Sequence, residues 1–406
     1  MMPRILLFVL VMGLLAPASW VSAAPDQQYL VYFGTYTGFH FTRKGVPRGE
    51  SSSKGIYVSR FRPSTGEVSE PQLAAEIINP SFFAIDPAHR FLYALSEDPQ
   101  SVGPSRDQGS FVSAYAIQPA SGKLRLLNTV PSGGTATCHI SVDQTGRNVL
   151  VANFGSSSIT VLRVNGDGSL GNQSAFIQHT GTSVDPFYQT RPHPHSIIVS
   201  PDNRFVLVSD LGIDKVMVYR FDAATGSLTP NDPPFVKVKP GSGPRHFKFD
   251  PSGQFGYLIN EMGGTLYAFR WDAARGVLRE IQQLNLIPAD FIGDYHSAEV
   301  ALHPSGRFLY TSSRGPDTIG VWLRDPVTGA LEPIQQTSSR GLLPRDFEID
   351  PTGDYLFVAN QATDNVVIFR IQGETGRILP TRQVVKLDTP VCVQFIPAGQ
   401  GTGKGR

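Results

Sequence analysis

Two imidazoles, two guanidiniums and two carboxylates stand at matching positions of a repeated sequence outline: His195, His246, Arg245, Arg314, Glu261 and Glu299. His193, Arg345 and Asp346 lie beside them in the same register. Imidazole and carboxylate exchange protons near neutral pH, and a guanidinium binds a carboxylate, a phosphate or a developing oxyanion. Acid/base chemistry on an anionic or carbonyl-bearing small molecule is what such a set can do. The tandem His193-Pro194-His195 also reads as a metal pair, but no firm third ligand accompanies it, so neither metal nor cofactor is expected. Glu261 and Arg314 read equally as an ion pair tying neighbouring repeats together. There is no G-x-S-x-G, no C-x-x-C and no phosphate-cradling glycine loop, so serine-hydrolase, redox-motif and nucleotide chemistries lack support.

The positions match because the chain repeats. A turn recurs at Asp86-Pro87, Asp143-Gln144, Ser200-Pro201, Asp250-Pro251, His303-Pro304 and Asp350-Pro351, at spacings of 57, 57, 50, 53 and 47 residues. Each turn joins two short apolar runs, as in Gly243–Glu261, GPRHFKFDPSGQFGYLINE. A third apolar run follows, then a TGxL-like turn and a fourth. Four short antiparallel strands per period describe a propeller blade. The termini supply a seventh: Tyr29–Thr35 and Gly55–Phe61 lack a first strand, and Val391–Ile396 is a first strand with nothing after it. Pairing them closes the ring and removes exposed sheet edges. The fold class expected is all-β, a seven-bladed propeller forming one domain.

First strands line a propeller's axis. Five residues before the turn stand Ser81, Cys138, His195, Arg245, Ala298 and Arg345, and one later come Phe82, His139, Ser196, His246, Glu299 and Asp346. Second strands end in Ser96, Asn153, Asp210, Asn260, Ser313 and Asn360, then Glu97, Phe154, Leu211, Glu261, Arg314 and Gln361. Both ends meet at one face, where the long stretches Thr37–Lys54, Asp98–Gly109, Gly181–Pro194 and Ile287–Ser297 also fall, marking it as the functional face. Asn153, Asp210, Asn260 and Asn360 read as loop caps and His303 as a turn residue. Cys138 and Cys392 are no disulfide framework, although a single bond between them stays open.

Residues 1–24 stand apart. Arg4 precedes the apolar run Ile5–Leu15, and Val21-Ser22-Ala23 has cleavage-site spacing, the pattern of a secretory signal peptide too short to span a membrane. The expected organisation is a leader over 1–24, a propeller over 25–400 and a disordered tail over 401–406. An exported protein, periplasmic or secreted, follows. The formal charge of +1 falls to zero without Arg4, which gives no polyanion surface; neither nucleic acid nor membrane is expected as a partner, and a monomer is.

The chain resembles the seven-bladed-propeller lactonases, a family that includes a bacterial type of 6-phosphogluconolactonase and the carboxy-cis,cis-muconate cyclase. The resemblance rests on YFGTYT (Tyr32–Thr37), RPHPHS (Arg191–Ser196), SDLGIDKVMVY (Ser209–Tyr219), GPRHFKFDPSG (Gly243–Gly253) with Asn260-Glu261, SAE (Ser297–Glu299), SSRGPDTI (Ser312–Ile319), PRDFEIDPTG (Pro344–Gly353) and VCVQFI (Val391–Ile396). It implies metal-independent catalysis by His195, Arg245, Glu261 and Arg314. His193, His246, Glu299, Arg345 and Asp346 are read as substrate contacts around them. The expected activity is hydrolysis of a small sugar lactone, with 6-phosphogluconolactone the family default and the export signal a departure from it. Lactonising cycloisomerase chemistry on a carboxylated muconate, and a non-enzymatic periplasmic binding propeller, are the alternatives.

Overall fold

Seven four-stranded antiparallel sheets surround a common axis in the computed structural model, which describes residues 27–38, 41–43, 46–47, 51–97 and 109–399. The leader and the tail expected from the sequence lie outside these residues. So does most of Asp98–Gly109 and part of Thr37–Lys54. Among the described residues there is no helix, and none therefore long and apolar enough to cross a membrane.

Blades are numbered from the one built by both termini. In blade 1, Pro390–Pro397 pairs with Tyr29–Thr35, which pairs with Gly55–Arg62. Its outer strand is split into Glu67–Val68 and Gln72–Glu76. Blades 2 to 7 begin at Phe83–Ile85, Thr137–Val142, Pro194–Val199, Pro244–Phe249, His296–Leu302 and Pro344–Ile349, each with three strands following in sequence order. Second strands such as Phe255–Asn260 are buried along their whole length, since they face a neighbouring sheet on both sides. Fourth strands such as Val277–Asn285 are a mixture of exposed and half-buried residues.

Aspartate sets the turn between the first two strands. Asp250 Oδ1 accepts from the N–H of Gln254 at 3.0 Å and of Phe255 at 2.8 Å, while Oδ2 takes the Ser252 hydroxyl. Gly253 occupies the left-handed conformation this turn requires, at φ 68°. Asp143 and Asp350 repeat the device.

Each of seven apolar clusters fills the gap between two neighbouring blades, so the ring has distributed cores rather than one. Buried tyrosines reinforce four of these gaps. Tyr32, Tyr93, Tyr257 and Tyr310 each send a hydroxyl to the carbonyl of a turn glycine in the next blade: Gly122, Gly168, Gly329 and Gly376. Cys138, in blade 3, and Cys392, in blade 1, are separated by blade 2, and both are free thiols.

Candidate active site at the channel mouth

A bulge recurs where the first strands of blades 1 and 3 to 7 enter the sheet. Pro244 pairs with Asn260 and His246 with Ile259, so Arg245 is the extra residue. The same slip leaves out Cys138, His195 and Arg345 in blades 3, 4 and 7, and a wider one leaves out both Ala298 and Glu299 in blade 6. An extra residue bends the strand and re-aims its side chain. Here it turns toward the axis a position that strict alternation would send elsewhere.

Glu261, one residue beyond the second strand of blade 5, is the hub. Its Oε2 accepts from Arg245 Nε at 3.0 Å and its Oε1 from Arg314 Nη2 at 2.9 Å. His195 Nε2 lies 3.7 Å from Oε2 and His296 Nδ1 3.4 Å from Oε1. Both arginines are tied further to the backbone of blade 6, Arg245 to the Ala298 carbonyl and Arg314 to the Ser297 carbonyl. The four residues named from sequence as catalytic therefore meet at one point, drawn from blades 4, 5 and 6.

Burial would raise the Glu261 carboxyl, but the Arg314 and Arg245 guanidiniums and the His296 imidazole hold it well below the usual carboxylate range. Burial and the Arg245 charge push His195 well below an ordinary histidine, against the pull of Glu261. Its ring is thus neutral at pH 7, and among the described residues Nδ1 has no hydrogen-bond partner. Burial lowers Arg314 to about 10 despite Glu261, leaving it still a cation near neutrality.

Two cavities open onto this hub. The inner one, 170 Å³, is bounded by His195, Glu261, Cys138, Phe154, Glu97 and Arg345 among others. The outer one, 860 Å³, shares Glu261, Arg345, His296, Met262 and Tyr188 with it and extends between the 181–189 and 291–296 segments. Arg345 closes the inner cavity on the side of blade 7, its guanidinium 5.4 Å from the centre of the Tyr36 ring, and the Tyr36 hydroxyl donates to Glu97 at 2.9 Å.

The remaining residues singled out from sequence sit elsewhere. His193 stacks on Phe154 with ring centres 4.3 Å apart and donates from Nδ1 to the Phe154 carbonyl. Phe154 in turn presents its edge to the His195 ring, so His193 braces the site without lining either cavity. His246 and Asp346 reach only a void of 10 Å³ below the mouth. Glu299 lines none of the three; it accepts from His246 Nδ1 and lies 3.6 Å from Lys248 Nζ. These three form a second layer beneath the first.

His296, Tyr188, Tyr36 and Glu97 were missed from sequence. His296 stands seven residues before its turn, the position His193 holds in blade 4, so the column was available but not extended. Glu97 stood in the exit column beside Glu261 without a recognised partner. Tyr188 lies inside a long loop, where no repeat register exists to flag it.

A seven-bladed propeller whose channel mouth gathers two arginines, a glutamate and a histidine defines a recognisable class. The model of the family "Lactonase, 7-bladed beta-propeller" matches residues 30–395, and the chain belongs to that family. It is 34% identical to the 6-phosphogluconolactonase of Bacillus subtilis, over 91% of this chain and 99% of that one. The 6-phosphogluconolactonase of Formosa agariphila is also 34% identical, over 82% and 93%. Among solved structures, the periplasmic gluconolactonase of Pseudomonas aeruginosa superposes with a TM-score of 0.83 at 33% identity, covering 91% of this chain and 99% of that one.

Proposed function

We propose that this protein is an exported hydrolase that opens an aldonolactone to its aldonic acid. The observation that carries the reading is the clamp on Glu261: one carboxylate held by Arg245 and Arg314, with the neutral His195 beside it, facing a cavity. The two guanidiniums and one carboxylate keep a net positive charge where an oxyanion would form. In this reading His195 takes a proton from water as the water oxygen bonds to the lactone carbonyl carbon. Glu261 stabilises the resulting imidazolium, and N–H groups of Arg245 and Arg314 receive the negative charge on the former carbonyl oxygen. When the intermediate collapses, the bond from that carbon to the ring oxygen breaks and His195 returns its proton to the departing alkoxide. Each well-aimed donor to the oxyanion is worth about 3–4 kcal/mol of barrier.

The names of the two bacterial relatives support a sugar lactone, and the name of the Pseudomonas protein supports an unphosphorylated one outside the cytoplasm. The leader-like residues 1–24 agree with that compartment. The test is a pH-indicator assay of purified protein on glucono-1,5-lactone and its 6-phosphate, corrected for spontaneous opening. Acceleration that disappears in His195→Ala is expected, faster on the neutral lactone. Opening no faster than in buffer, or unchanged in His195→Ala, refutes the reading.

A further inference from the structure

The inner cavity suits one lactone ring, yet the larger space lies outside it. Clefts of about 300–1,000 Å³ accommodate drug-sized ligands, and the outer cavity alone is 860 Å³. A single sugar lactone, with a dozen non-hydrogen atoms, leaves most of it unused.

The outer wall is built, not left over. The 181–189 segment is closed on itself: Ser183 N–H donates to the Gln189 carbonyl, and Gln189 N–H to the Asp185 carbonyl. The Gln189 side chain is fully buried; its Oε1 accepts from Asp185 N–H and its Nε2 donates to the Leu211 carbonyl at 2.8 Å. The Ser183 hydroxyl is fixed by Asp214 at 2.6 Å. At the tip, Asp185 Oδ1 accepts from both Phe187 N–H and Tyr188 N–H, at 2.9 and 2.8 Å. This tightly bonded loop holds Phe187 83% exposed and Tyr188 48% exposed. A segment so thoroughly ordered has no need to leave two aromatic rings in water, and exposed apolar surface at the rim of a polar cleft marks a binding surface. Across the cavity stand Phe291, Ile292 at 97% exposure, and the exposed carboxylate of Asp294.

Aromatic faces with carboxylates beside them suit one class of ligand. A pyranose presents an apolar C–H face that stacks on a ring and an edge of hydroxyls that donate to carboxylates. An acyl chain would cover the rings but strip water from Asp185 and Asp294 without replacing it. The lactone ring supplies the direction: its carbonyl carbon and its 4-oxygen lie on opposite sides of a six-membered ring. With the carbonyl carbon beside His195 and Glu261, which border the inner cavity, and the 4-oxygen pointing outward, the next sugar meets Tyr188, which borders both cavities. We infer that the outer cleft is a second sugar subsite, and that the preferred substrate is a 4-linked oligosaccharide carrying the lactone at its oxidised end. This rests on the aldonolactone reading above.

The test compares cellobiono-1,5-lactone with glucono-1,5-lactone, and separately measures binding of cellobionic and gluconic acids by calorimetry, which needs no turnover. The expected result is a kcat/KM ratio of at least tenfold for the disaccharide, mostly in KM, falling toward one in Tyr188→Ala, with a matching preference among the acids. Equal kcat/KM, or a preference untouched by Tyr188→Ala, overturns the subsite. If neither lactone is opened, the acids decide: tighter, Tyr188-dependent binding of cellobionic acid keeps the subsite while the hydrolase reading falls, and equal binding removes both.

Discussion

Arg245 and His246, Ala298 and Glu299, and Arg345 and Asp346 are immediate sequence neighbours, and that single step divides the channel into two layers of similar composition. The upper layer, with Glu261 between two arginines, borders two cavities through Glu261, His195, Arg314 and Arg345, while Arg245, behind Glu261, reaches only the small void beneath. In the lower layer Glu299 lies between His246 and Lys248 and lines no cavity, and His246 and Asp346 meet only a void of 10 Å³. Burial lowers His246 to about 4 although Glu299 opposes it, so the lower pair is a neutral imidazole donating to a carboxylate. Across the axis, the rings of Phe82 and His139 pack on His246 at 5.7 and 5.2 Å. Acidic, basic and imidazole groups within a few ångströms thus make a candidate catalytic set in one layer and a packed polar plug in the next. Access for a reacting molecule is the difference, and residue type alone carries no information about it.

The sharpest way to break this contrast is to remove one group from each layer. His195→Ala should lower kcat on the accepted lactone by about 10²–10⁴-fold, the usual range for a general base, with a far smaller change in KM and in unfolding midpoint. Arg245→Ala should follow at about 10²–10³-fold. Glu299→Gln should do the reverse: a loss of about 1.5–3 kcal/mol in urea unfolding, from the hydrogen bond to a buried carboxylate, with kcat far less affected than in His195→Ala. A Glu299→Gln enzyme of native stability but crippled turnover would merge the layers.

The ring and the division into blades were legible because each repeat carries its own instructions. Asp-Pro-x-Gly fixes the first turn through the aspartate oxygens and a left-handed glycine, and alternating apolar runs leave little choice of register. Even the closure by Tyr29–Thr35 and Pro390–Pro397 could be read, from a missing first strand at one end and a surplus one at the other. The meeting of His195, Arg245, Glu261 and Arg314 was legible for the same reason, as columns of one repeat. Depth was not. Arg245 and His246 face the same axis only because of the bulge between Pro244 and His246, and nothing in the apolar pattern announces it. The tyrosine-to-glycine bonds between blades were missed because they join columns of different repeats.

Those bonds give a smaller, cleaner comparison. Tyr310 lies in neither layer and donates to Gly376 O at 2.8 Å from a fully buried position. Tyr310→Phe should cost about 1 kcal/mol in urea unfolding and leave kcat unchanged, which sets the baseline against which Glu299→Gln is judged.

The smallest expected effect is one of sign. In the lower layer, burial raises Glu348 to about 7 despite the attraction of Lys248, whereas Glu261 above it is depressed by its arginines. A carboxyl raised in the folded state binds its proton more tightly there than in the unfolded chain, where it titrates near 4.5. Its contribution to stability is therefore complete below about 4.5 and is lost as pH rises through 7. Glutamine stays neutral throughout, so Glu348→Gln should gain stability relative to the parent at pH 8 and little at pH 5, read as the difference in urea midpoints. The buried histidines His139, His195 and His246, all lowered by burial, act in the opposite sense: their contribution is lost as pH falls below about 6.5. Because both proteins share them, they cancel in the comparison. A gain at pH 5 equal to that at pH 8 would mean that Glu348 is solvated like a surface carboxylate, and the lower layer would then be open to water at its far end.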